Sequence, residues 1–292
     1  MKLPDFIFIG PSKTGSTWIF ELLRQHPQVF VPVAKDIYFF DKFYHKGMEW
    51  YSKHFQAAKD GQMIGELSHD YFSSREAMSR IREVLPEVKL ICCLRDPFKR
   101  AESSYRYFLR NGYVFENFED AINQYPEIYH EGLYYTHLSY ILSQFNRKQV
   151  LILLFDDLNK DPAKFAASIF HFLGVSQSFS SDILYKKINS ANRPRIRSLT
   201  FFAKKAAILL RKIGLPQVVG AMKKNPLVQN ILFVKDEEIQ VQVQFPRSMI
   251  ENYNRELDAL ADLLDIDFET WKRPLIAAQN APAKVFEQHA IS

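Results

Sequence analysis

The sequence predicts a single α/β domain in which a parallel sheet is flanked by helices. Three observations carry that expectation. Short apolar runs alternate with helical patterns over much of the chain, and an order of βαβα builds a parallel sheet with helices on both faces. A glycine-bounded loop, Gly10 to Gly15, follows the first run and leads directly into a helical pattern. The run Lys89 to Leu94 is apolar without alternation, as a strand covered on both faces must be.

Each element has its own signal. The first strand is expected over Asp5 to Ile9, and Trp18, Ile19, Leu22 and Leu23 then repeat at helical spacing until His26-Pro27 ends the helix. Met63 to Glu66 is the second strand candidate, followed by a helix through Ala77, Met78, Ile81 and Leu85 that the spacing Ser73-x-x-Glu76 opens as a capping box. After the third strand, Lys89 to Leu94, Asp96-Pro97 supplies an N-cap and a first-turn proline for a helix to about Arg110. A helix over Tyr134 to Phe145 precedes a fourth strand, Gln149 to Phe155; Asp161-Pro162 then starts a helix that Gly174 closes. Pro246 to Leu264 is amphipathic, with Met249, Tyr253, Leu257 and Leu260 on one face. No repeat or linker divides the chain, so one domain is expected over 1–275 with a tail at 276–292.

Composition narrows the function classes. At 292 residues, 47% hydrophobic and 24% charged, with 14 Pro and 10 Gly, the chain is globular rather than disordered or fibrous. The apolar run Val150 to Phe155 falls far short of the ~18 residues a membrane span needs, and Lys13 interrupts the N-terminus before a signal-peptide core could form. A soluble, cytoplasmic protein is expected. Cys92 and Cys93 are adjacent, so their side chains face opposite sides of a strand; they offer neither a disulfide framework nor a metal site. Twelve of the 38 basic residues lie between Ile183 and Lys235, a stretch with no acid. Such a cluster attracts an anionic partner, whether nucleotide, nucleic acid, acidic glycan or lipid surface.

The segment Gly10-Pro-Ser-Lys-Thr-Gly-Ser-Thr17 stands where an anion site forms, because a tight turn entering a helix aims free N–H groups and the positive end of the dipole at one point. Its glycine spacing is that of a Walker A loop. Ser16, however, stands where the lysine belongs, and the lysine is moved forward to Lys13. A nucleoside triphosphate site also needs a magnesium-holding carboxylate at a neighbouring strand end, whereas Lys89 to Leu94 leads into Arg95. The expectation is a nucleotide handled by cations, with no metal and no nucleophilic triad.

These residues resemble the sulfotransferases that use 3′-phosphoadenosine 5′-phosphosulfate (PAPS). Pro-Ser-Lys-Thr-Gly-Ser-Thr-Trp18 resembles the family's 5′-phosphosulfate loop, and Leu94-Arg-Asp-Pro-Phe-Lys-Arg-Ala-Glu-Ser-Ser-Tyr105 its 3′-phosphate motif. The segments Lys35 to Asp41, Tyr44 to Tyr51 and Glu66 to Phe72 look like the heparan sulfate branch, particularly its N-sulfotransferases. The resemblance implies that Lys13, Thr14, Gly15, Ser16, Thr17 and Trp18 bind the phosphosulfate end, and that Arg95 and Ser103 grip the 3′-phosphate. It implies that Glu66 is the catalytic base. Lys187 to Arg195 resembles the segment that closes over the donor, which adds Asn189, Arg193 and Arg195 to the expected contacts. No cysteine pair flanks that segment and no anchor precedes the domain, which fits a bacterial cytoplasmic type acting on a hydroxyl or amine of a glycan or small natural product.

The chemistry gives the residues separate tasks. Sulfuryl transfer builds charge on the bridging oxygen while the acceptor loses a proton. Lys13 at the helix mouth suits the departing phosphate, and Glu66, at a strand end on the same sheet edge, suits the acceptor. His69 competes as base because its ordinary pKa is nearer neutrality, and Lys35 is a candidate for the phosphosulfate or the acceptor. The aromatics around Tyr38 to Tyr51, with Tyr71 and Phe72, could line an acceptor pocket, although such stripes are more often core. Two rival readings remain: a P-loop kinase needing ATP and Mg²⁺, and a nucleic-acid module resting on the basic cluster, which lacks a reader motif.

Overall fold

A computed structural model describes residues 1–275 except 34, 180, 186–191, 195–205, 207–208, 211–232 and 236–242. The expected tail at 276–292 lies outside the described residues. Five parallel strands form the central sheet: β1 (Phe6–Gly10), β2 (Val29–Phe30), β3 (Met63–Leu67), β4 (Lys89–Leu94) and β5 (Val150–Leu154), in the order β2-β3-β1-β4-β5. The chain first builds to one side of β1 and then crosses to build the other. The carboxyl ends of β1 and β4 therefore flank the switch point at which open α/β sheets bind ligands.

Alternation of side chains along the strands makes two cores. Ile7, Ile9, Leu90, Cys92 and Leu94 face one layer, with α3 (Arg75–Val84), α7 (Tyr134–Gln144) and the aromatic turns Phe39–Phe43 and His69–Ser73. Phe6, Phe8, Ile91, Cys93 and Leu153 face the other, against α1 (Ser16–Gln25) and α9 (Pro162–Leu173). Cys92 and Cys93 thus divide between the two layers. On α1, Ile19, Leu22 and Leu23 are fully buried, a gross contribution of about 5–9 kcal/mol at ordinary transfer energies. A third cluster joins α4 (Pro97–Arg110), α5 (Phe118–Gln124), α6 (Glu127–His130) and α10 (Arg247–Leu264) through Phe98, Phe118, Ile128 and Tyr253.

Two expectations need correction. The helix cap is Ser74, whose side chain accepts from Ala77 N–H at 3.1 Å; Ser73 closes the preceding 3₁₀ turn, so the capping-box spacing was one residue out of register. The sheet has a fifth strand, β2, only two residues long and too short to show a period. As aromatic stripes more often are, Phe39, Phe40, Tyr51, Tyr71 and Phe72 are core. The other caps match expectation: Asp96 accepts from Phe98 N–H at 2.9 Å and Lys99 N–H at 3.2 Å, and Asp161 accepts from Lys164 N–H at 2.9 Å. The basic stretch from Ile183 to Lys235 lies mostly outside the described residues.

Candidate active site

The anion loop is shaped by left-handed backbone. Gly10 has φ +114°, and a Cβ there would stand 2.1 Å from the carbonyl oxygen of His69, so the end of β1 passes the 3₁₀ turn only as glycine. Lys13 (φ 67°) and Gly15 (φ 91°) are also left-handed and turn the chain into α1. The first bond of α1 runs from Ile19 N–H to the Gly15 carbonyl at 3.1 Å. The N–H groups of Ser16, Thr17 and Trp18 therefore have no helical acceptor, at the positive end of the dipole.

Cations surround this mouth. Lys35 donates to Thr17 Oγ1 at 3.0 Å and Ser16 Oγ at 3.3 Å. The Lys13 ammonium lies 4.3 Å from the Tyr107 ring centroid, and burial, with Arg110, Lys35 and Arg100 nearby, lowers its pKa to about 7. Crowded, partly desolvated cations are an unfavourable arrangement that an anion between them relieves. The donor set of free N–H groups, hydroxyls and ammoniums fits a phosphate or phosphosulfate. Thr14 is a brace instead: fully buried, it donates to the Pro11 carbonyl at 2.7 Å. Trp18 divides its roles, because its indole is core and donates to the Ile183 carbonyl at 3.2 Å, which leaves only its backbone N–H for the mouth.

Arg95 extends the mouth toward β4. Its Nη1 donates to the Lys13 carbonyl at 3.1 Å and its guanidinium lies 4.9 Å from the Phe155 ring centroid. Among the described residues no carboxylate forms an ion pair with it. The adjacent Asp96 is committed elsewhere, capping α4 and accepting from Arg273 Nη2 at 2.6 Å. Ser103 is half-buried, two turns into the helix that Arg95 precedes. Asn189 and Arg195 lie outside the described residues, and Arg193 is described only as backbone of β6 (Asn192–Pro194), antiparallel to β7 (Phe233–Lys235).

Glu66 lies opposite Ile7 in the β1–β3 register and is fully buried. Its carboxylate accepts from three hydroxyls: Ser68 at 2.6 Å, Tyr71 at 2.7 Å, and Tyr51. Two of them are oriented from behind, since the N–H of Tyr38 donates to Ser68 Oγ and that of Phe40 to Tyr71 Oη, both at 3.3 Å. Burial raises the Glu66 pKa to about 7 against the opposing pull of the three hydroxyls. Desolvation wins, and the carboxyl titrates near neutrality. Nothing local in the sequence linked these hydroxyls to Glu66, although the aromatic runs that supply two of them were visible.

His69 is held differently. Its Nδ1 pairs with Asp36 at 2.7 Å and its Nε2 with Asp70 at 2.9 Å. Burial alone would lower its pKa, but the two carboxylates prevail and raise it to about 10. Both ring nitrogens are engaged, and the ring is a cation at neutral pH.

Fold and loop together define a class: an open parallel α/β protein with an anion loop at its switch point. The chain belongs to the sulfotransferase domain family, whose sequence model matches residues 3–271. Among its relatives, human heparan sulfate glucosamine 3-O-sulfotransferase 3B1 is 32% identical over 212 residues, covering 66% of this chain and 54% of that protein. Mouse bifunctional heparan sulfate N-deacetylase/N-sulfotransferase 4 is 32% identical over 200 residues, covering 61% and 23%. The chain spans about half the length of the 3-O-sulfotransferases it matches. A sulfotransferase from Alicyclobacillus acidocaldarius superposes with a TM-score of 0.66 at 20% identity, over 94% of this chain and all of that one, a likeness of fold. No described helix is long and apolar enough to cross a membrane.

Proposed function

We propose that the chain is a cytoplasmic enzyme that transfers the sulfuryl group of PAPS to a hydroxyl or amine of a glycan or small natural product, without a metal. The observation that carries this reading is the cationic mouth of the loop, where Lys35 rests on the hydroxyls of Ser16 and Thr17 beside Lys13. In the reaction the bond from sulfur to the 5′-phosphate oxygen breaks, its electron pair leaves with 3′-phosphoadenosine 5′-phosphate, and sulfur bonds to the acceptor. Lys13 and the loop N–H groups stabilise the departing phosphate, and Arg95 with Ser103 holds the 3′-phosphate. The acceptor's proton goes to Glu66. Because that carboxylate is fully covered, the acceptor must displace one of its hydroxyl donors or pass the proton through one. His69, cationic and doubly paired, is left to orient the acceptor side with Lys35. The names of the relatives favour an amino-sugar glycan among the acceptors.

A thermal-shift comparison tests this reading. 3′-Phosphoadenosine 5′-phosphate at 100 times its Kd should stabilise the fold by about 2.7 kcal/mol in the presence of a chelator. Stabilisation only by ATP with Mg²⁺ would return the kinase reading, and loss of binding in proportion to salt with any polynucleotide would return the nucleic-acid one.

A further inference from the structure

The amino-terminal limb of the anion loop is tied to a buried ion pair that the proposed chemistry leaves unused. Glu131, at the corner between α6 and α7, is 5% exposed. Its Oε2 accepts from Ser12 N–H at 3.0 Å, from Ser12 Oγ at 2.5 Å and from Arg100 Nη1 at 3.2 Å. Arg100 is fully buried on α4, where its Nη2 also donates to the carbonyls of Ile128 and Glu127. The corner has a rigid backing: a Cβ on Gly132 would stand 2.4 Å from Tyr253 Oη on α10, and that hydroxyl donates to the Tyr129 carbonyl at 2.7 Å.

A fully buried arginine and its carboxylate are costly to desolvate and contribute little net stability, so packing alone gives no reason for this pair to sit under the loop. Its connectivity does. Glu131 holds the loop at Ser12, one residue before Lys13, while Arg100 stands one and a half turns beyond Arg95 on the helix that also carries Ser103. We infer that Glu131, paired with Arg100, is a positioning residue that locks the anion loop to α4, so that the two phosphate-binding ends of the donor site are fixed at one separation. The pair touches neither donor nor acceptor and acts through Ser12 and α4. The two charges also act on Lys13 in opposite directions, Arg100 lowering its pKa and Glu131, with the smaller effect, raising it.

The ligand side of this inference rests on the PAPS reading; the loop-locking side does not. Glu131→Gln keeps the shape of the side chain but removes the carboxylate from Ser12 and Arg100. In ligand-free protein, amide exchange at residues 12–18 should then quicken by about tenfold or more while β4 and β5 keep wild-type protection. Affinity for 3′-phosphoadenosine 5′-phosphate should fall by about 10- to 100-fold, the donor KM should rise, and the acceptor KM should stay unchanged. Uniform acceleration of exchange through the sheet with unchanged nucleotide affinity would overturn the proposal, since the pair would then be merely structural. Should the single variant fail to fold, Glu131→Gln with Arg100→Met removes both buried charges and should restore the melting temperature without restoring loop protection or affinity. Wild-type affinity in that double variant would overturn the proposal by showing that only charge balance mattered. If the wild-type protein itself does not bind the nucleotide, the donor reading fails, and the exchange data still decide the positioning role.

Discussion

At Glu66, burial competes with three hydroxyl donors and prevails, which places the carboxyl near pH 7. The proposed base must be ionised, so its contribution grows as pH rises through about 7. Lys13 must be protonated, and with a pKa also lowered to about 7 its contribution fades over the same interval. Activity in kcat/KM should therefore be bell-shaped and narrow, with only about a quarter of free enzyme in the competent state at the optimum. A flat profile from pH 6 to 8 would contradict both assignments. Glu66→Gln should lower turnover by about 10²–10⁴-fold with donor affinity near wild type, and Tyr51→Phe should move the acidic limb upward by removing one stabiliser of the anion. His69→Gln provides the contrast. As a doubly paired cation His69 carries no titration near neutrality, so its loss should weaken acceptor binding yet leave the acidic limb in place; disappearance of that limb would transfer the base role to His69. The competition between Glu66 and His69 was legible in the sequence, but its outcome was not. Asp36 lies 33 residues from His69, and only the fold shows which of the two groups titrates near neutrality.

Among the elements, legibility followed the strength of local signals. The Asp96-Pro97 and Asp161-Pro162 caps and the continuous apolar strands were read within a residue or two, because each depends on neighbours in sequence. Ser73 was taken for Ser74 because both are serine and the helix start is decided by where the preceding 3₁₀ turn ends. The loop itself was legible from its glycines, and the structure gives Gly10 a specific reason. Gly10→Ala meets the His69 carbonyl at 2.1 Å with φ +114°, so it should destabilise the protein by at least about 2 kcal/mol, measured by denaturant unfolding. A smaller loss would mean that the turn at His69 yields readily. Arg95 tests the adjoining element. Lying between the loop and α4 with no carboxylate partner among the described residues, it should be selective for the 3′-phosphate: Arg95→Ala should weaken 3′-phosphoadenosine 5′-phosphate far more than adenosine 5′-phosphate. Equal losses would remove Arg95 from the 3′ end of the site.

Across the whole molecule, the segment least legible from sequence is the end of the described chain, which ties itself to residues just past β4 and β5. Trp271 Nε1 donates to Asp156 Oδ2 at 2.8 Å, and Arg273 Nη2 donates to Asp96 Oδ2 at 2.6 Å, so residues just past β5 and β4 are both held by the end of the described chain. Asp96 was correctly read as an N-cap, but its second partner lies 177 residues away and left no trace in spacing. The consequence is a coupling between distant parts of the fold. Asp96 is fully buried, and with Arg273 gone its charge keeps, among the described residues, only the cap N–H groups and Lys99, 3.8 Å away and largely exposed. Arg273→Ala should thus destabilise the protein by about 1–3 kcal/mol, less than for a fully buried pair because the arginine is 31% exposed. Since Asp96 starts the helix that follows Arg95, nucleotide affinity should fall with it while the pH of the Glu66 limb stays fixed. Arg273→Lys should recover part of the stability by restoring charge, but not the guanidinium packed 5.0 Å from the Phe98 ring centroid. Full stability in Arg273→Ala would show that Asp96 is sufficiently satisfied by its helix, and that the carboxyl-terminal segment covers the sheet without holding it.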